Sequence, residues 1–331
     1  MKTMFAMLLA CALAPALLAG NTLTGKECPN FSATRFINPP ADGKTSFDDC
    51  KGEVILVKLW GTHCGPCLRS MPEVQGLWDK FEGKGLHIFM VERQNSSEAD
   101  IQKVYDSKGL TFPQVLEGDM GGFPGVGTIP YAYVIGVDGK VIFESNTGYG
   151  AVIEREIEKI KYLGLGKNDV APGLEKAATS FAKKDYAAAR EEAQRAKDKE
   201  GAGEDLVADA DYIIGRVDVV VANLRKRIDA AKDARRYHEA IALLEELSGK
   251  QFKGMDVAAT SADELKELKK DKTVKEELKA WDALAKTLEA NEKAKSVADK
   301  KKNLEAFIRK YEGAAAAGDA QKQLDSLGAE G

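Results

Sequence analysis

The sequence predicts two folds in series: an α/β domain built on a central mixed sheet with helices on both faces, then an all-α domain. Three observations carry this expectation. Short apolar, β-branched runs alternate with helical stretches over residues 21–165. From about Lys167 onward Ala, Lys, Glu, Leu and Asp dominate, and no strand-like run stands out. Between the two, Gly164-Leu-Gly-Lys-Asn168 and Pro172-Gly173 form a breaker-rich junction. A length of 331 residues agrees with two domains, at roughly 100–200 residues each.

Residues 1–20 stand apart. Lys2 gives a positive start, an apolar run follows to Leu18, and small residues close it at Ala19 and Gly20. That order is the order of a secretory signal peptide. Ala14-Pro-Ala16 and Leu17-Leu-Ala19 both fit a cleavage site. The run falls short of the ~20 residues that span a bilayer and contains Pro15, which argues against an anchor. The expected location is therefore outside the cytoplasm, periplasmic or otherwise extracytoplasmic, in a bacterium.

The α/β elements follow in order. Val54-Ile-Leu-Val-Lys-Leu-Trp60 is suited to a buried central strand, and residues 86–91 to a second. Tyr131-Ala-Tyr-Val-Ile135 and Val141-Ile-Phe143 flank Val137-Asp-Gly-Lys140. An Asp-Gly turn between two apolar runs signals a hairpin. Helices are expected over 67–81, 98–108 and 152–163.

Within residues 166–331 apolar side chains recur at helical spacing, as at Ile241, Leu244 and Leu247. Phe181-Ala-Lys-Lys-Asp-Tyr-Ala-Ala-Ala-Arg190 resembles Lys232-Asp-Ala-Arg-Arg-Tyr-His-Glu-Ala-Ile241. Each sets a tyrosine after a charged turn and then starts a helix. The spacing resembles that of tetratricopeptide repeats, which stack helix pairs. An irregular helical bundle is the equal alternative.

The formal net charge of −4 has the wrong sign and size for nucleic-acid binding. The five cysteines are more informative. Removal of the leader takes Cys11, leaving Cys28, Cys50, Cys64 and Cys67. Thiol–disulfide exchange needs a thiolate that attacks and a second thiol that resolves the mixed disulfide. Cys64 and Cys67, in Trp60-Gly-Thr-His-Cys-Gly-Pro-Cys67, have the spacing to supply both at a strand-to-helix turn. A helix N-terminus favours the thiolate of the first. Cys64 is the expected nucleophile and Cys67 the resolving thiol. A structural zinc site needs four ligands, commonly from two such pairs, and there is no second Cys-x-x-Cys. No metal and no cofactor are expected.

At these residues the chain resembles the thioredoxin superfamily, over most of residues 25–163. The Trp60–Cys67 run is similar to the thioredoxin signature. Pro72 matches the proline of the active-site helix, and Thr128-Ile-Pro130 the cis-proline loop that faces the cysteines. Cys28-Pro-Asn-Phe31 and Asp49-Cys-Lys-Gly52 resemble elements of the exported TlpA/ResA-like branch. The resemblance implies a thioredoxin-like fold and a thiol-disulfide oxidoreductase, leaning toward reductase. It implies protein thiol or disulfide substrates and an upstream thiol electron donor. Pro130 would be cis and would hold substrate backbone beside Cys64. Ile129 would tune the redox potential, and Trp60 would pack beside the motif.

Departures from the family pattern matter as much. His63 replaces the usual tryptophan; its imidazolium would stabilise the Cys64 thiolate, or the side chain is simply solvated. Lys58 stands where thioredoxins carry a buried Asp, on the same strand face as Leu56 and Trp60. Either it lies under the cysteine pair or its amine reaches solvent. Ser70 replaces a Glu common in the branch, so the group that takes the Cys67 proton is left open. Cys28 and Cys50 form either a structural disulfide or two buried free thiols, with the disulfide preferred.

Three other functions compete. A peroxiredoxin needs Pro-x-x-x-Thr-x-x-Cys, but Thr62 lies two residues before Cys64 and the proline is absent. A copper-delivering metal chaperone would use Cys64, Cys67 and His63, but usually has Cys-x-x-x-Cys and a distant loop histidine. A redox-linked protein-interaction module would use the helical half to hold a protein partner.

Overall fold

The computed structural model describes residues 22–123, 127–294 and 296–328. The expected leader, residues 1–20, and with it Cys11, lies outside the described residues.

Six strands form one sheet: β1 (Ser32–Ile37), β2 (Val54–Trp60), β3 (Leu86–Glu92), β4 (Gln114–Asp119), β5 (Tyr131–Ile135) and β6 (Val141–Ser145). Their spatial order is β1-β4-β3-β2-β5-β6. β2, β3 and β4 run parallel, whereas β1, β5 and β6 pair antiparallel to their neighbours. The sheet is therefore mixed, as expected.

Every residue of β2 is buried, because both faces of the sheet are covered. Val54, Leu56 and Trp60 pack with Met71, Val74, Tyr105, Tyr149 and Ile153 on one face. Ile55, Val57 and Leu59 pack with Phe31, Phe47, Phe89 and Tyr133 on the other. Strand alternation sends neighbours to opposite cores, which explains an apolar run without polar interruption except at Lys58.

Four helices belong to this half: α1 (Phe47–Cys50), α2 (Gly65–Phe81), α3 (Glu98–Lys108) and α4 (Tyr149–Ile157). Ser46 and Asp49 close a reciprocal capping box on α1. Ser97 caps α3, and Gly109 ends it with φ of 62°. α4 starts three residues before the expected 152 and stops well before 163. Gly148, at φ 87°, turns the chain into it. Past its end, the Asn168 side chain accepts the Lys161 N–H at 2.7 Å and draws that segment into a turn. The Asp-Gly hairpin joins β5 to β6, with Gly139 at φ 80°.

The second half holds eight helices among the described residues: α5 (Glu175–Ala182), α6 (Tyr186–Lys197), α7 (Glu204–Asp233), α8 (Tyr237–Leu247), α9 (Asp256–Lys270), α10 (Lys272–Glu292), α11 (Val297–Lys310) and α12 (Ala315–Gly328). The two self-similar segments become the turns α5–α6 and α7–α8. Each carries one left-handed residue, Lys184 at φ 60° and Arg235 at φ 55°, and each following helix opens on its tyrosine. One apolar cluster joins Leu174, Phe181, Ile213, Ile228, Leu244 and Phe252. A second joins Ala280, Leu284, Leu304, Phe307 and Ala320. None of the described helices is long and apolar enough to cross a membrane.

The halves meet at the N-terminal end of β2. A Cβ on Gly52 would stand 2.5 Å from the Gly166 carbonyl carbon, so the two backbones touch and both positions require glycine, at φ 76° and 91°. Tyr212 donates to the Leu165 carbonyl at 3.0 Å, and Arg216 to the Gly164 carbonyl at 3.0 Å. Tyr162 and Leu165, on the α/β side of the expected boundary, pack into the helical core.

Cys28 and Cys50 require a correction. The structure joins them by no disulfide: both are buried free thiols in one apolar cluster. The Cys28 thiol donates instead to the Pro29 carbonyl at 3.2 Å, and Cys50 is hydrogen-bonded with His87. Burial first, then Cys50 and Glu27, push the Cys28 thiol up to about 12, which leaves little thiolate to react. Both cysteines are expected to resist alkylation in the native protein and to be fully alkylated in denaturant without reductant. Mass spectrometry of the two samples checks this, and a pair unlabelled in denaturant would restore the disulfide.

Candidate active site

β2 ends at Trp60, and five residues later the chain enters α2. Cys64 is the residue that caps α2: its backbone is extended, with φ −95° and ψ 97°, and its sulfur accepts the Cys67 N–H at 3.2 Å. Pro66 sits in the first turn, where a missing N–H costs nothing. Cys64 and Cys67 are joined as a disulfide, with their Cα atoms 5.2 Å apart. Cys67 is fully buried, while Gly65 and Pro66 beside it are exposed. The pair therefore has an outer and an inner sulfur.

The loop of residues 127–130 stands over the outer one. The Ile129–Pro130 peptide bond is cis. The Cys64 sulfur lies 3.6 Å from the Ile129 carbonyl oxygen. Ile129 packs against the cores of both sheet faces. Residues on two remote segments thus converge on Cys64, with Thr128 and Pro130 partly or fully open to solvent.

Trp60 is fully buried and donates its indole N–H to Gln114 at 2.8 Å. Its ring packs against Tyr105 in the core that contains both cysteines. Among the described residues the His63 ring makes no hydrogen bond with the sulfur. Its side chain is exposed and its Nδ1 pairs with the Thr62 hydroxyl at 2.9 Å. The donor to the Cys64 sulfur is the Cys67 amide at the start of α2.

Lys58 does not reach solvent. It is 0% exposed, and its amine donates to the Tyr149 hydroxyl at 3.1 Å. Burial lowers its pKa to about 8, against an opposing pull from Glu73.

Several residues around the site escaped the sequence reading. Gln94 accepts the His63 backbone N–H at 2.9 Å and lies so close to Gly61 that a Cβ there would collide with it. Thr62 pairs with Ser96 at 2.6 Å, and Ser96 with Glu92 at 2.9 Å. These contacts fix the turn before Cys64. The only available signal was the polar run after β3, which has no periodicity to mark it.

At the opposite end of β2 a charged cluster is buried. Glu53, 2% exposed, pairs with both His87 and Lys44 and accepts the Gly164 N–H at 2.7 Å. Burial would raise the Glu53 pKa; His87 first, then Lys44, lower it to about 2. Among the described residues no group of three or more His, Cys, Asp or Glu is arranged to hold a metal ion.

Comparison with known proteins places this site. The AhpC/TSA family model matches residues 24–143. The thiol-disulfide oxidoreductase ResA of Bacillus thuringiensis subsp. konkukian (strain 97-27) is 34% identical over 124 residues, covering 36% of this chain and 68% of that protein. ResA of Geobacillus thermodenitrificans (strain NG80-2) is 30% identical over 146 residues, covering 43% of this chain and 83% of that protein. The chain belongs to the ResA-like thiol-disulfide oxidoreductase family. It spans 66% of the length of the ResA protein of Bacillus anthracis, at 32% identity. A solved thiol:disulfide interchange protein from Bacteroides sp. is 22% identical, with a TM-score of 0.34, and covers 41% of this chain and 90% of that one.

Proposed function

We propose that the protein exchanges electrons with protein disulfides through Cys64 and Cys67, in the reducing direction. One observation carries the reading: the Cys64 sulfur caps α2, takes the Cys67 N–H at 3.2 Å, and lies 3.6 Å from the backbone carbonyl of Ile129. The amide and the helix end stabilise a thiolate on Cys64 in the reduced protein. Its partner sulfur, inside the core, is shielded from competing thiols. Pro130 and Ile129 offer backbone to an extended substrate, with Trp60 fixing the turn beneath. Cys-Gly-Pro-Cys followed by an apolar residue before the proline supports the reductase direction.

Residues 1–20 act as a signal peptide, residues 21–165 carry the chemistry and residues 166–331 form the helical unit, with helix pairs of tetratricopeptide-like kind. Export past the cytoplasmic membrane, an upstream thiol donor that re-reduces the pair, and a protein partner on the helical unit complete the proposal. The test is insulin reduction by dithiothreitol. Catalytic amounts of the full chain are expected to accelerate precipitation of the insulin B chain. No acceleration over dithiothreitol alone would reject the exchange reading, and a reduction potential well above that of glutathione would reject the direction.

A further inference from the structure

Exchange through Cys64 says nothing about the residues that flank the substrate disulfide. The charged side chains at the mouth of the site bear on that choice.

Arg69 lies one turn into α2. Helix side chains lean toward the N-terminus, so a residue covers the one four positions before it. Arg69 covers Gly65 in this way: a Cβ on Gly65 would stand 3.4 Å from Arg69 Nη1. Both residues are exposed. Consecutive Cα atoms are about 3.8 Å apart, so the guanidinium lies within about 9 Å of the Cys64 Cα. Among the described residues no ion pair or side-chain hydrogen bond holds it. Helix formation does not call for this placement. A cation near the start of a helix opposes the helix dipole, and the first turn of α2 holds no acidic residue to offset it.

A second arginine marks the same rim. Arg93 follows β3, and its backbone N–H donates to the Trp60 carbonyl at 2.8 Å, which sets it beside the end of β2. Its side chain is exposed and, among the described residues, has no ion pair either.

The acidic side chains at this end of the sheet are engaged or turned away. Glu92 accepts the Gln94 and Ser96 N–H groups and the Ser96 hydroxyl. Glu98 pairs with Arg35, and Asp100 accepts from Ser97. Glu73 is exposed one turn beyond Arg69, but its Oε1 lies 3.2 Å from the place a Cβ on Gly150 would take, so it is turned toward α4. Unpaired positive charge is therefore left beside the outer sulfur.

We propose that the protein selects disulfides flanked by acidic side chains, that Arg69 is the residue that reads them, and that Arg93 extends the positive rim. The proposal rests on the exchange reading and narrows it to one substrate class, acidic polypeptides. As Cys64 attacks, a carboxylate next to the substrate cysteine meets Arg69, whose forked guanidinium matches the two carboxylate oxygens. Complementarity of this kind acts mainly on the rate of encounter and is weakened by salt.

The test uses the reduced full chain and three disulfide-linked peptide dimers, whose cysteine is flanked by glutamate, glutamine or lysine. Acid quenching and chromatography of the released peptide give a second-order rate constant for each. Dithiothreitol, measured with the same peptides, corrects for their intrinsic reactivity. The corrected glutamate-to-lysine ratio is expected to be roughly ten at low ionic strength. Arg69→Gln is expected to cut it roughly three-fold, and Arg93→Gln by less. Arg69→Glu is expected to reverse the preference. In about 1 M salt, where screening acts over about 3 Å, the parent and variant ratios are expected to converge. A corrected ratio near one in the parent protein, or a ratio that Arg69→Glu leaves unchanged, overturns the selection. Arg69 variants that slow all three peptides alike and lower the melting temperature show a structural role and overturn the assignment to Arg69. Failure of the parent protein to react with any of the three peptides overturns the exchange reading instead.

Discussion

Cys64→Ser is expected to abolish insulin reduction, and Cys67→Ser to stop the reaction one step later. The difference follows from the placement of the two sulfurs. Cys64 is the capping residue under the Ile129 carbonyl, so its loss removes the attacking atom itself. Replacement of a nucleophile by a poor one costs on the order of 10³-fold or more in rate. Cys67 lies inside the core, bonded to Cys64. Without it, Cys64 still attacks and is then left bound to the substrate. Cys67→Ser should therefore accumulate a protein–substrate adduct that dithiothreitol releases. Non-reducing electrophoresis followed by mass spectrometry reads both outcomes. Adducts on Cys67 in a Cys64→Ser protein would reverse the assignment of roles.

The second large effect concerns stability and lies at the far end of β2. Glu53→Ala removes the carboxylate that His87 and Lys44 share, leaving the buried His87 without its carboxylate and Lys44 with only Asp42, 4.0 Å away. Breaking a buried pair in this way costs about 3–5 kcal/mol. Glu53→Gln keeps the volume and the bond from the Gly164 N–H, so its loss is smaller and isolates the charge.

The pH dependence has a definite sign. Glu53 is lowered to about 2, so its contribution is present above its ordinary pKa near 4.5 and disappears as pH falls toward 2. For His87, burial and Lys44 oppose the imidazolium while Cys50 and Glu53 favour it, and the net result is a rise to about 10. Its contribution is complete below the ordinary value of 6.5 and is lost as pH climbs toward 10. The cluster is thus strongest between about pH 5 and 6.5. Thermal melts across pH should fall on both sides of that window in the parent protein and flatten in Glu53→Gln. Parallel curves for the two proteins would show that the cluster does not set the pH dependence.

Legibility in the sequence followed the strength of the local pattern. β2 and β5 coincide with their apolar runs, because central strands buried on both faces leave no polar interruption apart from Lys58. α3 coincides because Ser97 and Gly109 mark both ends. β1 and β4 left no such trace. Ser-Ala-Thr-Arg-Phe-Ile alternates irregularly, as suits an edge strand whose register shifts around Arg35. Gln-Val-Leu-Glu-Gly-Asp buries only its first two residues. The cysteine pair was readable because its chemistry has a fixed local spacing, and Pro130 because Thr128-Ile-Pro130 resembles the family's proline loop. Gln94, Tyr149 and the Glu53–His87–Lys44 cluster were not, since each is assembled from segments far apart in sequence. Cys28 and Cys50 show the limit from the other side. An even cysteine count suggested a bond between them, but only the packing shows each thiol turned to a different partner.

The backbone contact of Gly52 with Gly166 has a consequence for how the molecule is wired. It anchors the helical half at the first residues of β2, whereas the disulfide stands beyond the last. A seven-residue strand rises about 3.3 Å per residue, so the two ends lie roughly 20 Å apart. That exceeds twice the ~8 Å over which salt screens exposed charges under physiological conditions. Charged side chains of the helical half that stand at this contact are therefore screened from the sulfurs. That part of the surface is free to diverge, gaining or losing charge to suit whatever it meets, while the voltage of the cysteine couple stays where α2 sets it.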